Sequence, residues 1–332
     1  MWGPKDIHYA FFGNVVRGKS TFFRLVVRNG FTHFVRKVFA RRKLLPGKFW
    51  FFAPLVVVIS KRNYANACSL LMRARREWVR VGGGPAHLLV DRRPVYGGHA
   101  YTANYGDGTW SVVGVNITTG ELGSLERTLN YSTKACPVPH PHETVVLGPH
   151  IWVVDLGCDV IHHHWWNGTD VMEGNSTKLE KGHGPRHMAL HPNKNIAVVV
   201  CELKNVLQVY KVDTSFGKLE LLQEVDLTSK SSNAGAEIIL VPKGEDLNVY
   251  VSSRGVGIIE FFKMDGATNK LERVQEFLLA GSWPRHMAIH PSGGLIAVGD
   301  QKGNRVLLVR TQANKEHLNI IPSFIVFNVT VF

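Results

Sequence analysis

Pro185-Arg186-His187-Met188-Ala189-Leu190-His191-Pro192 occurs a second time in the chain, almost letter for letter, as Pro284-Arg285-His286-Met287-Ala288-Ile289-His290-Pro291. Two such copies are a repeat, and a repeat constrains the fold before any single residue does. The copies start 99 residues apart, too far for neighbouring units, so a further unit is expected between them. Each copy is followed by an apolar, strand-like run that closes on a polar residue: Ile196 to Cys201 then Glu202, and Leu295 to Gly299 then Asp300 and Gln301. The same cadence recurs as Ala100 to Ala103 then Asn104, as Ile151 to Val154 then Asp155, and as Leu247 to Ser253 then Arg254. Taking Asn104, Asp155, Glu202, Arg254 and Gln301 as equivalent gives spacings of 51, 47, 52 and 47 residues, a period near fifty.

Within a unit the pattern is a string of short β-rich runs. The third unit reads Met188 to His191, Ile196 to Cys201, Val206 to Val212 and Leu219 to Leu227, separated by Pro192-Asn193, Lys204-Asn205 and Ser215-Phe216-Gly217. These are four strands with turn chemistry between them. Four short strands per unit, repeated, predict an all-β fold, a β-propeller of four-stranded blades. A β-sandwich of irregular strands would not require positions to recur at this spacing. Five units are legible.

At 332 residues and 45% apolar content the chain can bury a large core. No stretch approaches the about eighteen consecutive apolar residues of a membrane-spanning helix. The formal charge of +13 is unevenly placed: residues 1–80 hold 17 Lys and Arg against only Asp6 and Glu77, and residues 81–332 carry a net charge of −2. The repeat region is thus nearly neutral, and the overall basicity is no argument for nucleic acid as a partner. Two segments follow: a divergent basic stretch over residues 1–80 and a propeller over 81–332. The first lacks the turns of the repeat and reads as degenerate sequence standing where further blades belong. A targeting segment, a signal anchor from Phe49 and a basic arm are the other readings of it.

Cys68, Cys136, Cys158 and Cys201 show no CxxC spacing and are expected to be reduced core residues. Five Asn-x-Ser/Thr sequons, at Asn116, Asn130, Asn167, Asn175 and Asn328, have no convincing signal peptide beside them, and a cytoplasmic location is expected. His162-His163-His164 resembles a metal tract in composition, but consecutive strand residues alternate faces and cannot all reach one ion. No metal or cofactor is expected. No Gly-x-Ser-x-Gly elbow occurs, which argues against a serine hydrolase.

A propeller gathers equivalent positions of its blades around one axis, so unusual residues must be read together. Alignment on Pro85, Pro141, Pro185 and Pro284 makes Ala86, His142, Arg186 and Arg285 equivalent, followed by His87, Glu143, His187 and His286; the fourth unit offers Glu237. If these strand starts face the same mouth as Asn104, Asp155, Glu202, Arg254 and Gln301, the ring is lined by histidines, arginines and carboxylates. Arginine binds carboxylate or phosphate through a planar fork and can also hold the oxyanion that forms when an ester carbonyl is attacked. Histidine or glutamate can take a proton from water. The set suits hydrolysis or closure of a lactone. Strand alternation places His187 and His286 on the face opposite the adjacent arginines, as structural residues.

The phrases Gly84-Pro85-Ala86-His87-Leu88, Ala103-Asn104-Tyr105-Gly106, His140-Pro141-His142, Val154-Asp155-Leu156-Gly157, Gly184-Pro185-Arg186-His187, Cys201-Glu202-Leu203, Ala236-Glu237-Ile238, Ser253-Arg254-Gly255 and Trp283-Pro284-Arg285-His286 stand in one order along residues 81–312. In these the chain resembles the seven-bladed propeller lactonases, which include 6-phosphogluconolactonases of cytoplasmic carbohydrate metabolism, in the pentose phosphate pathway, and carboxymuconate lactonising enzymes. The resemblance implies seven blades, no cofactor, a small anionic lactone as partner, and catalytic roles for His142, Glu202, Arg186 and Arg254. Arg285, Asn104, Asp155, Gln301 and Glu237 are then substrate-binding candidates. Hydrolysis of 6-phosphogluconolactone is the implied activity, with a muconate-type cycloisomerase or a non-catalytic protein-binding propeller as the alternatives.

Overall fold

The computed structural model describes residues 8–16, 19–28, 31–36, 79–93, 95–228, 234–279, 283–303, 305–311 and 318–328. Every regular element among them is a β-strand. Strands β1 (His8–Val16), β2 (Lys19–Arg28) and β3 (Phe31–Arg36) form an antiparallel three-stranded sheet of their own. Most of the divergent segment, residues 37–78, lies outside the described residues.

Five blades follow, each an antiparallel meander. Blade one is β4 (Pro85–Asp91), β5 (His99–Asn104), β6 (Thr109–Val115) and β7 (Leu122–Asn130). Blade two is β8 (Pro141–Leu147), β9 (His150–Asp155) and β10 (Val160–Trp166), with the short β11 (Val171–Glu173) and β12 (Thr177–Lys178) both pairing β10. Blade three comprises β13 (Pro185–Leu190), β14 (Ile196–Cys201), β15 (Val206–Val212) and β16 (Leu219–Asp226). Blade four comprises β17 (Ala234–Lys243), β18 (Asp246–Arg254), β19 (Ile258–Met264) and β20 (Leu271–Leu278). Blade five comprises β21 (Pro284–Ile289), β22 (Leu295–Asp300), β23 (Arg305–Thr311) and β24 (Leu318–Asn328), so the apolar tail supplies an outermost strand. The first strands of successive blades adjoin: β4 with β8, β8 with β13, β13 with β17, and β17 with β21.

The core lies between blades rather than within one. In β14, Ile196, Val198 and Val200 pack toward blade four, whereas Ala197, Val199 and Cys201 pack toward blade two. Both faces are therefore dry, which is why the run is continuously apolar instead of alternating. At about 2 kcal/mol for each fully buried valine, such a strand is a major contributor to the fold. The outer strands revert to alternation: in β16 and β20 most side chains are exposed.

Two local devices set the register. The four-residue turn between the second and third strand ends on a left-handed residue, namely Gly108, Asp159, Asn205 or Gly257, a conformation that Gly, Asn and Asp reach at least cost. Counting back from these residues makes Asn104, Asp155, Cys201 and Ser253 equivalent. Their pairing with Pro85, Pro141, Pro185 and Gly235 says the same, and Pro284 pairs Asp300 in blade five. Each first strand then carries a bulge, so that Ala86, His142, Arg186 and Arg285 have no partner in the ladder. In β17 the bulge is wider and takes in Ala236 and Glu237.

One expectation fails outright. Cys136 and Cys158 form a disulfide, with Cα atoms 5.6 Å apart across a sequence separation of 22. Sequence spacing cannot show this pair, because it arises where the loop before β8 crosses the turn between β9 and β10. Cys201 is free and buried, and Cys68 lies outside the described residues.

Candidate active site

The bulges at the first strands and the turns after the second strands meet at one end of the blades, because these two strands are paired there. Glu202 is the first turn residue of blade three, and its counterpart in blade four is Arg254, the last residue of β18. Glu202 Oε2 lies 3.0 Å from Arg186 Nε and 2.5 Å from Arg254 Nη2. One carboxylate oxygen thus bridges two guanidinium groups contributed by adjacent blades. Arg186 and Arg254 are 2% and 6% exposed, so this is a desolvated ion triad and not a surface pair. Arg186 Nη1 also donates to the Ala236 carbonyl and Arg254 Nη2 to that of Gly235 at 3.4 Å, both on β17. Burial, reinforced by the charge of Arg254, lowers the pKa of Arg186 to about 9, which still leaves it a cation at neutral pH.

His142 stands beside this triad. It is 4% exposed, its ring lies 4.9 Å from that of His187, and Tyr105 approaches edge-on at 5.9 Å. Burial first, and then Arg186, His187, Arg285 and His87, hold its pKa well below the ordinary histidine value. The imidazole is therefore neutral, and its Nδ1 makes no hydrogen bond within the protein. Arg285, part-buried, donates from Nη1 to Gln301 Oε1 at 3.4 Å on the far side of the same mouth. Burial, then Arg254, lower its pKa as well.

His142, Arg186, Glu202 and Arg254 are thus brought together, with Arg285 and Gln301 beside them. The other three candidates stand elsewhere. Asn104 and Asp155 are one residue out of register with Glu202, whose counterparts are Tyr105 and Leu156. Asn104 Nδ2 donates to Thr109 Oγ1 and Ser111 Oγ, each at 3.0 Å, inside its own blade. Asp155 Oδ1 accepts from the backbone of His140 at 2.8 Å and of Gly157 at 3.0 Å, and His162 occupies its other oxygen. Asp300 does the equivalent work in blade five, accepting from the backbone of Trp283 at 2.7 Å and of Gly303 at 3.1 Å. This tier ties the entry of a blade to its turn, and a one-residue slip turns it away from the mouth. Glu237 belongs to a second ring further in, 6% exposed between His187 and His286.

Tyr105 is the residue the sequence reading omits. It is 36% exposed, stacks on His140 with ring centroids 4.2 Å apart, and has Glu202, Arg285, Arg186 and Arg254 as electrostatic neighbours. Its pKa is raised by burial and then by Glu202, so the hydroxyl keeps its proton and can donate. Counting back from Gly108 as from Asn205 would have placed it opposite Glu202. The face assigned to His187 also changes: the bulge interrupts alternation, and Arg186 and His187 turn toward each other, with Nη1 and Nε2 3.3 Å apart.

A family model described as lactonase, 7-bladed beta-propeller, matches residues 68–331. The chain belongs to the seven-bladed β-propeller lactonase family. It is 29% identical over 257 residues to the 6-phosphogluconolactonase of Bacillus subtilis (strain 168), spanning 73% of this chain and 70% of that one. To the 6-phosphogluconolactonase of Formosa agariphila it is 25% identical over 263 residues, 74% of this chain and 72% of the relative. Among solved structures, a periplasmic gluconolactonase of Pseudomonas aeruginosa superposes with a TM-score of 0.65 at 19% identity, over 91% of this chain and 81% of that one. A protein of Bacteroides fragilis gives a TM-score of 0.71 at 17% identity, over 97% and 96% of the two chains. These structural likenesses speak for the propeller fold alone.

The His162-His163-His164 tract lies on β10 of this lactonase-family fold. His162 bonds Asp155 and stacks on Tyr131, His163 turns the other way to His150 at 3.0 Å, and His164 meets the Tyr131 hydroxyl at 2.8 Å. Among the described residues no group of three or more His, Cys, Asp or Glu is disposed to hold a metal ion.

Proposed function

We propose that the chain hydrolyses the lactone of an anionic sugar acid, with 6-phosphogluconolactone as its substrate. The observation that carries this is the Arg186–Glu202–Arg254 bridge beside a neutral, buried His142. Glu202 bridges both guanidinium groups and holds them in place. His142, uncharged and beside them, is the proton acceptor. In this reading His142 takes a proton from water and the oxygen forms a bond to the lactone carbonyl carbon. Arg186 and Arg254 hold the oxyanion, a contribution of about 3 kcal/mol per well-placed donor. The ring carbon–oxygen bond then breaks, and the departing oxygen recovers the proton from His142 as the open-chain hydroxyl. Arg285, less buried and hydrogen-bonded to Gln301, takes the remote anionic group.

Two curated relatives that carry the name 6-phosphogluconolactonase support the phosphorylated substrate. The test follows release of 6-phosphogluconate from 6-phosphogluconolactone, coupled to NADP reduction and corrected for spontaneous hydrolysis. Arg186→Ala is expected to lower kcat at least about a hundredfold. A wild-type rate no faster than the uncatalysed one, or an Arg186→Ala variant with full activity, would defeat the assignment.

A further inference from the structure

One step inward from the mouth, His187 touches a catalytic candidate on one side and a buried carboxylate on the other. Its Nε2 lies 3.3 Å from Arg186 Nη1, and its Nδ1 lies 2.7 Å from Glu237 Oε1. A guanidinium nitrogen can only donate, so Nε2 must offer a lone pair, and a neutral imidazole can do so only with its proton on Nδ1. An ionised carboxylate can only accept, and it requires that same Nδ1 proton. Both contacts therefore demand one tautomer.

The surroundings leave little alternative. His187 and Glu237 are each 6% exposed, and the groups facing His187 are Arg186, Glu237, His286, His87 and His142. Burial, only partly offset by Glu237, brings the His187 pKa down to about 4, so the ring is neutral at physiological pH. Burial pushes the Glu237 carboxyl up, but His187 and His286 outweigh it and hold the group ionised. His286 Nδ1 meets the second carboxylate oxygen, and the Glu237 backbone N–H donates to Ser252 Oγ at 3.0 Å. The wide bulge of β17 also supplies the Ala236 carbonyl to Arg186. One irregularity in blade four thus holds the guanidinium of blade three from two directions.

We propose that Glu237 is a positioning residue, which fixes the tautomer of His187 and through it the direction of the Arg186 guanidinium. The catalytic consequence rests on the lactonase reading above, whereas the tautomer does not. Nitrogen-15 NMR of histidine-labelled wild-type protein, with His187 assigned from a His187→Gln variant, is expected to show the proton on Nδ1. A proton on Nε2 would overturn the proposal. Glu237→Leu is expected to keep a cooperative thermal transition and lose about a hundredfold in kcat, the order that a small misplacement costs. Glu237→Gln, which retains an acceptor oxygen for His187, is expected to recover kcat to within about tenfold of wild type. A folded Glu237→Leu protein with wild-type kcat would overturn the proposal equally. If that variant does not fold, the wild-type tautomer decides. Wild-type protein without lactonase turnover would defeat the proposed function and leave the tautomer measurement standing as the test of this one.

Discussion

Burial has opposite consequences for the two kinds of side chain at the mouth. It leaves Arg186 charged, because its pKa of about 9 stays above neutrality, and it leaves His142 uncharged, because its pKa falls well below the ordinary 6.5. A base works only above its pKa, so activity carried by His142 is expected to stay level as pH falls from 8 through 6.5 and to decline only well below that. Steady-state kcat across pH 8 to 4, corrected for uncatalysed hydrolysis, reads this directly, and an acid limb centred at 6.5 or higher would remove His142 from the role. The sequence pointed to His142, Arg186, Glu202 and Arg254 because a charge at the start or end of an inner strand serves no packing need. It misplaced Asn104 and Asp155 because polar residues occupy two adjacent tiers, one meeting substrate space and one tying backbone. Letters alone do not separate tiers that differ by a single residue, although the left-handed turn residues do.

At the scale of elements, the strands were legible and their irregularities were not. Apolar runs bounded by Asn, Gly and Pro mark β13 to β16 to within a few residues, because burial on both faces leaves no freedom of composition. The bulge in each first strand has no compositional mark, and it overturns the alternation argument that separated His187 from Arg186. The disulfide is the other unmarked element. It clamps the segment that leads through His140 and Pro141 into His142 to the turn after β9, where Gly157 and Cys158 also donate to Asp155. Closing a loop of this length stabilises a fold by about 3 kcal/mol on the chain-entropy account. Adding reductant to wild-type protein is therefore expected to lower its melting temperature to that of a Cys136→Ser/Cys158→Ser double variant, which should itself be indifferent to reductant. Equal melting temperatures for oxidised wild type and the variant would mean that the clamp carries no stability.

At the scale of the whole molecule, the described residues include several buried histidines, and the shifts of the following five act in one direction. His87 and His164 are brought to about 3, His187 and His163 to about 4, and His142 well below its usual value, each chiefly by burial. In the unfolded chain the same groups titrate near 6.5. Between those limits the unfolded chain binds protons that the folded one refuses, so stability is full above about pH 7 and declines as pH falls through 6.5 toward 4. For the most buried pair, His142 and His187, the slope approaches about 1.4 kcal/mol per pH unit for each group. Glu143 and Glu260 run the other way, since burial raises both, and their contribution is present at low pH and lost as pH rises through their folded values. Six histidines, His191 included, against two carboxyls leave acid the losing side. Thermal melts at pH 7.5, 6.5, 5.5 and 4.5 are expected to show a falling midpoint with its steepest loss below 6.5. A His187→Gln variant should lose less between pH 6.5 and 4.5 than wild type does, because one of the refused protons is then gone from both states. A midpoint independent of pH over this range would mean that the histidines of the blades are hydrated and charged in the fold, and the neutral His142 on which the proposed chemistry depends would fall with them.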